Sequence, residues 1–208
     1  MDEILHLNGK PKGFVFAVSA PSGTGKTTLC SMLSVEFDDI KPSISYTTRT
    51  KREGERDGVS YYFINDAEFD KMIEKGEFIE WANIFGKRYG TAYKSVIADS
   101  NSLFDMLLEI DVQGVERLIK IYRGIKNANK LVTVFITPPS YSDLQTRLLK
   151  RGGMSEEELN CRINIAAAEV EKSGIYDYVI TNDDLDEAYL KLKSIVIAER
   201  CRNKFKLD

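Results

Sequence analysis

The sequence predicts an α/β protein, in which a parallel sheet is wrapped by helices and interrupted by a small mixed β subdomain and a helical, lid-like segment. Three observations predict it. Short continuous apolar runs each lead into apolar residues at helical spacing, two segments break that alternation, and the first run is followed by a glycine-rich turn that enters a helix. The size fits the prediction. A chain of 208 residues suits one core with inserted subdomains, and 43% hydrophobic with 29% charged residues is an ordinary globular composition.

The elements follow in chain order. Phe14 to Val18 is apolar throughout, as a strand buried on both faces requires. After Pro-Ser-Gly-Thr-Gly, the stretch Thr27 to Phe37 carries Leu29, Met32, Leu33 and Phe37 on one helical face. The next segment, rich in Thr, Tyr and Gly, alternates in short runs such as Tyr61-Tyr62-Phe63-Ile64 and Phe78-Ile79-Glu80-Trp81, which read as a mixed β subdomain. Leu103 to Ile110 is a second buried strand and leads into Val115, Leu118, Ile119 and Tyr122; Leu131 to Ile136 is a third and precedes Tyr141, Leu144, Leu148 and Leu149. Arg151 to Glu158 holds two adjacent glycines and then Ser155 with Glu158 three residues later, a loop entering a capped helix, as a closing lid needs. A fourth strand, Tyr178 to Ile180, precedes a last helix through Leu185, Ala188, Tyr189, Leu192, Ile195 and Val196. The expected division is a core of residues 13–42, 92–140 and 174–208, an insertion at 43–91 and a lid region at 141–173.

Charge and composition exclude several function classes. Lys and Arg number 29 against 32 Asp and Glu, a net charge of −3, which argues against a nucleic-acid-coating surface. No apolar stretch approaches the roughly 20 residues that span a bilayer, and the Met1-Asp2-Glu3 start lacks the basic, apolar pattern of a signal peptide. A cytoplasmic protein without membrane or nucleic-acid partners is expected. Cys30, Cys161 and Cys201 have no CxxC spacing, so neither a disulfide framework nor a zinc site is indicated. The single histidine, His6, lies near the start of the chain, so the chemistry must run without the commonest general base.

Ala20-Pro21-Ser22-Gly23-Thr24-Gly25-Lys26-Thr27 follows the P-loop pattern GxxxxGK[ST], with Ala20 where the pattern has its first glycine. A strand precedes it and a helix follows, the context the motif needs. Gly23 and Gly25 let the backbone turn several N–H groups toward one phosphate, and the helix adds the positive end of its dipole. Lys26 then faces the β- and γ-phosphates, and the Thr27 hydroxyl is suited to Mg²⁺, with Thr28 completing the nucleotide-contacting run. This motif predicts a P-loop NTPase core but does not separate ATPases, GTPases and kinases.

The acceptor side is read from Ser45-Tyr46-Thr47-Thr48-Arg49, Arg52-Glu53-Gly54-Glu55, Gly58, Tyr61, Phe63, Phe78-Ile79-Glu80-Trp81 and Tyr89-Gly90-Thr91. With the P-loop, Leu108-Glu109-Ile110-Asp111-Val112-Gln113-Gly114, Arg147, Arg151-Gly152, Arg162 and Val179-Ile180-Thr181-Asn182-Asp183, this series resembles the guanylate kinases from about residue 13 to 197. The resemblance implies a phosphotransferase using ATP with Mg²⁺ as cofactor and GMP, and by extension dGMP, as acceptor, with a GMP-binding insertion and a mobile lid. It implies that Ser45, Arg49, Arg52, Tyr61, Glu80, Tyr89, Thr91 and Asp111 bind GMP and that Arg147, Arg151 and Arg162 close over the ATP phosphates. With Lys26 and Arg49 these three arginines form the catalytic set, and Asn182 is assigned to ATP.

Chemistry makes the same assignment plausible. Arg49 and Arg52 beside Tyr61 and Tyr89 supply guanidinium forks and hydroxyls for a dianionic phosphate. Glu80 in an apolar strand needs a compensating partner, and guanine offers N1–H and a 2-amino group side by side. Glu109, where the family usually has Asp, and Asp111 are candidates for water-mediated contact with the metal at Thr27. A kinase for another monophosphate or a phosphorylated sugar shares the core but not the guanine-directed residues. A non-catalytic interaction module of this type usually loses the P-loop lysine and lid arginines, which this chain keeps, and a GTPase needs an NKxD-type motif, which neither Asn127-Ala-Asn-Lys nor Asn182-Asp-Asp supplies.

Overall fold

The computed structural model describes residues 13–84, 86–96, 104–124, 130–150 and 155–202. In chain order the elements are β1 (Phe14–Ser19), α1 (Lys26–Glu36), β2 (Ile40–Pro42), β3 (Tyr46–Thr47), β4 (Tyr62–Phe63), α2 (Asp66–Glu74), β5 (Phe78–Ile84), β6 (Lys87–Ala92), β7 (Asp105–Glu109), α3 (Val112–Gly124), β8 (Lys130–Thr137), α4 (Tyr141–Lys150), α5 (Glu156–Glu171), β9 (Tyr178–Thr181) and α6 (Leu185–Cys201). Five strands form a sheet in the order β2-β7-β1-β8-β9, and four form a second sheet in the order β4-β3-β6-β5. The chain divides into two compact units, one from Met1–Ser19 and Asp38–Thr133, the other from Ala20–Phe37 and Val134–Asp208.

In the first unit β1 pairs in parallel with β7, from Val15 opposite Met106 to Val18 opposite Glu109, and β2 pairs in parallel with β7. Val15, Phe16, Ala17 and Val18 are fully buried, so β1 is apolar on both faces. Ser19 is buried at its end and satisfies its hydroxyl by donating to the Ile110 carbonyl at 2.6 Å. The buried Asp105 carboxylate accepts from the Phe14 N–H at 2.6 Å, which ties the starts of β1 and β7 together. The short edge strand β2 carries no periodic signal, since Lys41 and Pro42 are exposed and only Ile40 is buried.

The second sheet, within the same unit, is mixed. β3 runs parallel to β4 and antiparallel to β6, and β6 is antiparallel to β5. Its core is aromatic: Tyr46 stacks on Tyr62 at 4.7 Å between ring centroids, and Phe69 stacks on Phe78 at 4.5 Å. Tyr46, buried between these rings, is thus a packing residue. The insertion is not only β, because α2 crosses it. Asn65 accepts from the Glu68 N–H while the Glu68 carboxylate accepts from the Asn65 N–H, a complete capping box.

The second unit holds α1, α4, α5, β9 and α6. β8 and β9 pair in parallel, from Val134 opposite Tyr178 to Thr137 opposite Thr181. Leu144, Leu148, Leu159 and Ala166 pack α4 against α5, with Ile163 at the margin. α6 meets α1 through Lys193 and Tyr189, both bonded to the Glu36 carboxylate. Among the described residues, no helix is long and apolar enough to cross a membrane.

Phe69 is fully buried beneath Phe78, and deleting its ring leaves a cavity that the short strands around it cannot fill. Phe69→Ala is expected to lower stability by about 3–5 kcal/mol, read as a fall in the urea denaturation midpoint. A midpoint unchanged from the parent protein would show that this ring is not part of the cooperative core.

Candidate active site

Residues 20–28 form a cradle within the second unit. Ala20, Pro21, Ser22, Gly23, Gly25, Lys26, Thr27 and Thr28 line an open cavity of about 330 Å³, together with Glu169 from α5. The N-cap of α1 is Gly25, which has no side chain to cap the helix, whereas Asn65, Ser155 and Asp184 each cap a helix with a side-chain oxygen. The first-turn N–H groups of α1 lack intrahelical partners by geometry, and they carry the positive end of the helix dipole. An anion is the natural cap for such an end.

The turn that aims those groups is held from behind. Asn182, 4% exposed, donates from Nδ2 to the Thr24 carbonyl at 2.6 Å, and its own N–H donates to the Thr137 carbonyl at 2.9 Å. Gly25 has φ 99°, and a Cβ there would lie 2.5 Å from Asn182 Nδ2. Only glycine meets both demands. Arg162 on α5 donates to Ser22 Oγ at 3.2 Å and to Glu158 Oε1 at 2.7 and 3.2 Å, and Arg147 on α4 donates to the Asp183 carbonyl at 3.3 Å. The Ser155 hydroxyl accepts from the Glu158 N–H at 3.2 Å, as the sequence predicts, and the Glu158 carboxylate is spent on Arg162. Arg151 lies outside the described residues.

The first unit holds the other group of predicted residues. Ile79 is a bulge residue: Phe78 faces Ala92, but Glu80 faces Thr91. That extra residue brings Glu80, 8% exposed, onto Thr91, whose hydroxyl donates to Glu80 Oε1 at 2.6 Å. Ser45 Oγ stands 3.5 Å from Thr91 Oγ1, so Ser45, Thr91 and Glu80 form one polar row. Asp111 caps the first turn of α3 by accepting from the Gly114 N–H at 2.7 Å, and a Cβ on Gly114 would lie 2.6 Å from Glu80 Cγ. The absence of that Cβ lets α3 approach the buried carboxylate.

Arg49, Tyr61 and Tyr89 are also gathered. The Tyr61 and Tyr89 rings meet edge to face at 6.0 Å, and the Arg49 guanidinium lies 5.5 Å from the Tyr61 ring centroid. Burial, then the nearby Tyr89 and Glu109, push the Tyr61 phenol up. Arg52 is brought in through its backbone, with its side chain exposed. Two residues without an assigned role enter the sites: Glu55, which holds Arg49 at 2.7 and 2.9 Å, and Glu169 in the cradle wall. Glu55 carries a sequence signal, an acid among three arginines in Arg49 to Arg56; Glu169 sits in Ala-Ala-Ala-Glu-Val-Glu and carries none.

Comparison with known proteins decides between the readings. The guanylate kinase family model matches residues 13–199. The chain belongs to the guanylate kinase family. It is 44% identical to the guanylate kinase of Geobacter metallireducens over 93% of this chain and 92% of that protein. With the guanylate kinase of Geobacter sulfurreducens it is 42% identical, over 96% and 95% of the two chains. The crystal structure of guanylate kinase from Anaplasma phagocytophilum matches with a TM-score of 0.69 at 32% identity, covering 93% of this chain and 89% of that one.

Two hydrogen bonds from Arg49, and then the Arg52 N–H, hold the Glu55 carboxyl at about 2, below its ordinary 4.5. A carboxylate depressed in the folded state adds its stability in full above the ordinary value and loses it as pH falls toward the depressed one. The stability difference between the parent protein and Glu55→Gln is therefore expected to be constant above about pH 5 and to shrink between pH 4.5 and 2. Denaturation at a series of pH values measures it, and a difference already gone at about pH 4 would show that the pair is not formed in solution.

Proposed function

We propose a division of labour for the reaction that family membership carries, the ATP-dependent phosphorylation of GMP to GDP. The cradle of residues 20–28 holds the ATP phosphates, with Lys26 and the α1 N–H groups against the β- and γ-phosphates. Asn182 serves ATP through the Thr24 carbonyl that it secures. Residues 43–91 form the GMP-binding insertion, and residues 141–173 form the lid whose Arg147, Arg151 and Arg162 neutralise charge on the phosphates in transfer.

On the acceptor side Glu80 takes guanine N1–H and the 2-amino group, Ser45 and Thr91 serve the neighbouring base edge, and Asp111 closes the pocket. Arg49, Arg52, Tyr61 and Tyr89 hold the GMP phosphate, and one of its oxygens attacks the γ-phosphorus as the bond to the ADP oxygen breaks. Mg²⁺ fits the donors present. Among the described residues no cluster of three or more His, Cys, Asp or Glu could cage a metal, while Thr27 supplies a hard oxygen beside the phosphates, the few-ligand arrangement that suits Mg²⁺. Bound there, the ion would supply charge neutralisation for the β- and γ-phosphates, and Glu109 or Asp111 would be the carboxylate for its water shell.

The observation that carries the guanine reading is the buried Glu80 carboxylate set on Thr91 by the bulge at Ile79. Adenine offers a lone pair at N1 and no 2-amino group, and a site built for two donors rejects such a base by about 10⁴ or more. ADP formation measured with GMP, dGMP, AMP, CMP and UMP is expected to show activity with GMP and dGMP alone. Phosphate release from ATP without acceptor is expected to be far slower than transfer, because closure keeps water from the γ-phosphate; equal rates would overturn the transfer mechanism.

Two variants separate the roles. Lys26→Ala is expected to lower kcat by about 100-fold or more, as loss of a cation on the transferring group does. Glu80→Gln is expected to lower kcat/KM for GMP by at least about tenfold while leaving KM for ATP unchanged. Retained preference for GMP over AMP in Glu80→Gln would place the base elsewhere.

A further inference from the structure

A guanidinium has two edges that can each give two parallel N–H bonds, Nη1 with Nη2 and Nε with Nη2. In Arg49 the first edge is occupied. Nη1 donates to Glu55 Oε2 at 2.9 Å and to the Thr50 carbonyl at 2.8 Å, and Nη2 donates to Glu55 Oε1 at 2.7 Å. Glu55 Oε2 also accepts from the Arg52 N–H at 2.7 Å, so one carboxylate closes residues 49–55 into a ring that contains both arginines. The Tyr61 and Phe63 rings lie 5.5 and 5.7 Å from the guanidinium carbon, and the two partners are only 12% and 21% exposed. The Tyr89 hydroxyl acts on Arg49 as well, raising its basicity after Glu55 does.

We propose that Glu55 is a positioning residue for the acceptor phosphate. It does not meet the substrate; it holds Arg49 by one edge so that the Nε and Nη2 edge is the one offered to the phosphate. The same carboxylate fixes the backbone from which Arg52 projects. The proposal rests on the reading that Arg49 binds the GMP phosphate. Its consequence runs against simple charge counting: a carboxylate beside a phosphate site repels the anion, so neutralising it should tighten GMP binding if Glu55 were only a placeholder that the phosphate displaces. Positioning demands the opposite sign, because a freed guanidinium must then be ordered by the ligand itself.

The test measures binding of GMP and of guanosine to the full chain by NMR titration, in the parent protein, Glu55→Gln, Arg49→Ala and the double variant. Glu55→Gln is expected to weaken GMP at least about tenfold, to leave guanosine unchanged, and to add little once Arg49 is already Ala, since the pair acts as a unit. KM for ATP is expected to stay as in the parent. GMP affinity equal to or tighter than the parent's in Glu55→Gln overturns the proposal. Loss of guanosine affinity along with GMP also overturns it, because Glu55 would then maintain the fold of the insertion instead of the geometry of Arg49. An Arg49→Ala variant that still binds GMP with parent affinity refutes the reading of the phosphate pocket, and the proposal falls with it.

Discussion

A backbone that turns its N–H groups toward an anion must satisfy its carbonyls on the other side, and a buried carbonyl without a donor is costly. In this protein the donor is Asn182, whose buried amide closes on the Thr24 carbonyl at 2.6 Å. Much of the second unit is arranged around that bond. Asn182 directly follows β9 and its N–H donates to the Thr137 carbonyl of β8, and Gly25 omits a Cβ to make room for its side chain. The course of the cradle backbone is therefore set by hydrogen bonds within the protein, which suits transfer by positioning and charge neutralisation.

The same economy appears in the first unit, where carboxylates fix the geometry of groups that bind. Glu80 is fixed by Thr91, and Arg49 is fixed by Glu55. Asp111 spends an oxygen on the first turn of α3, whose Gly114 leaves room for Glu80. Each acid is ordered by hydrogen bonds within the protein, so little side-chain entropy remains to be lost when ligand binds. The net charge of −3 is thus uninformative about the candidate sites, since their arginines are bonded to acidic residues, Arg49 to Glu55 and Arg162 to Glu158.

How much of this was legible follows from distance along the chain. The strands β1, β7, β8 and β9 and the helices after them are visible as apolar runs and helical spacing, which are local. The helix α2 was not read from the sequence, because the β pattern around it masks the Asn65 and Glu68 capping pair. β2 was not, because one buried residue in three leaves no period to read. Among the site residues, Ser45, Glu80 and Thr91 stand out by type and motif, yet their row depends on a one-residue bulge that no composition announces.

The sequence by itself determined the class of chemistry: a glycine-rich turn between a buried strand and a helix binds phosphate for reasons contained in eight residues, and the ordered series of acceptor motifs carries the family. Tertiary structure decided what holds those residues in place. Asn182 reaches Thr24 across 158 residues and Arg162 reaches Ser22 across 140, and Glu169 enters the cradle from a helix face whose local pattern is only helical. Local patterns encode backbone conformation, whereas a hydrogen bond between remote side chains exists only once packing has brought its partners within about 3 Å.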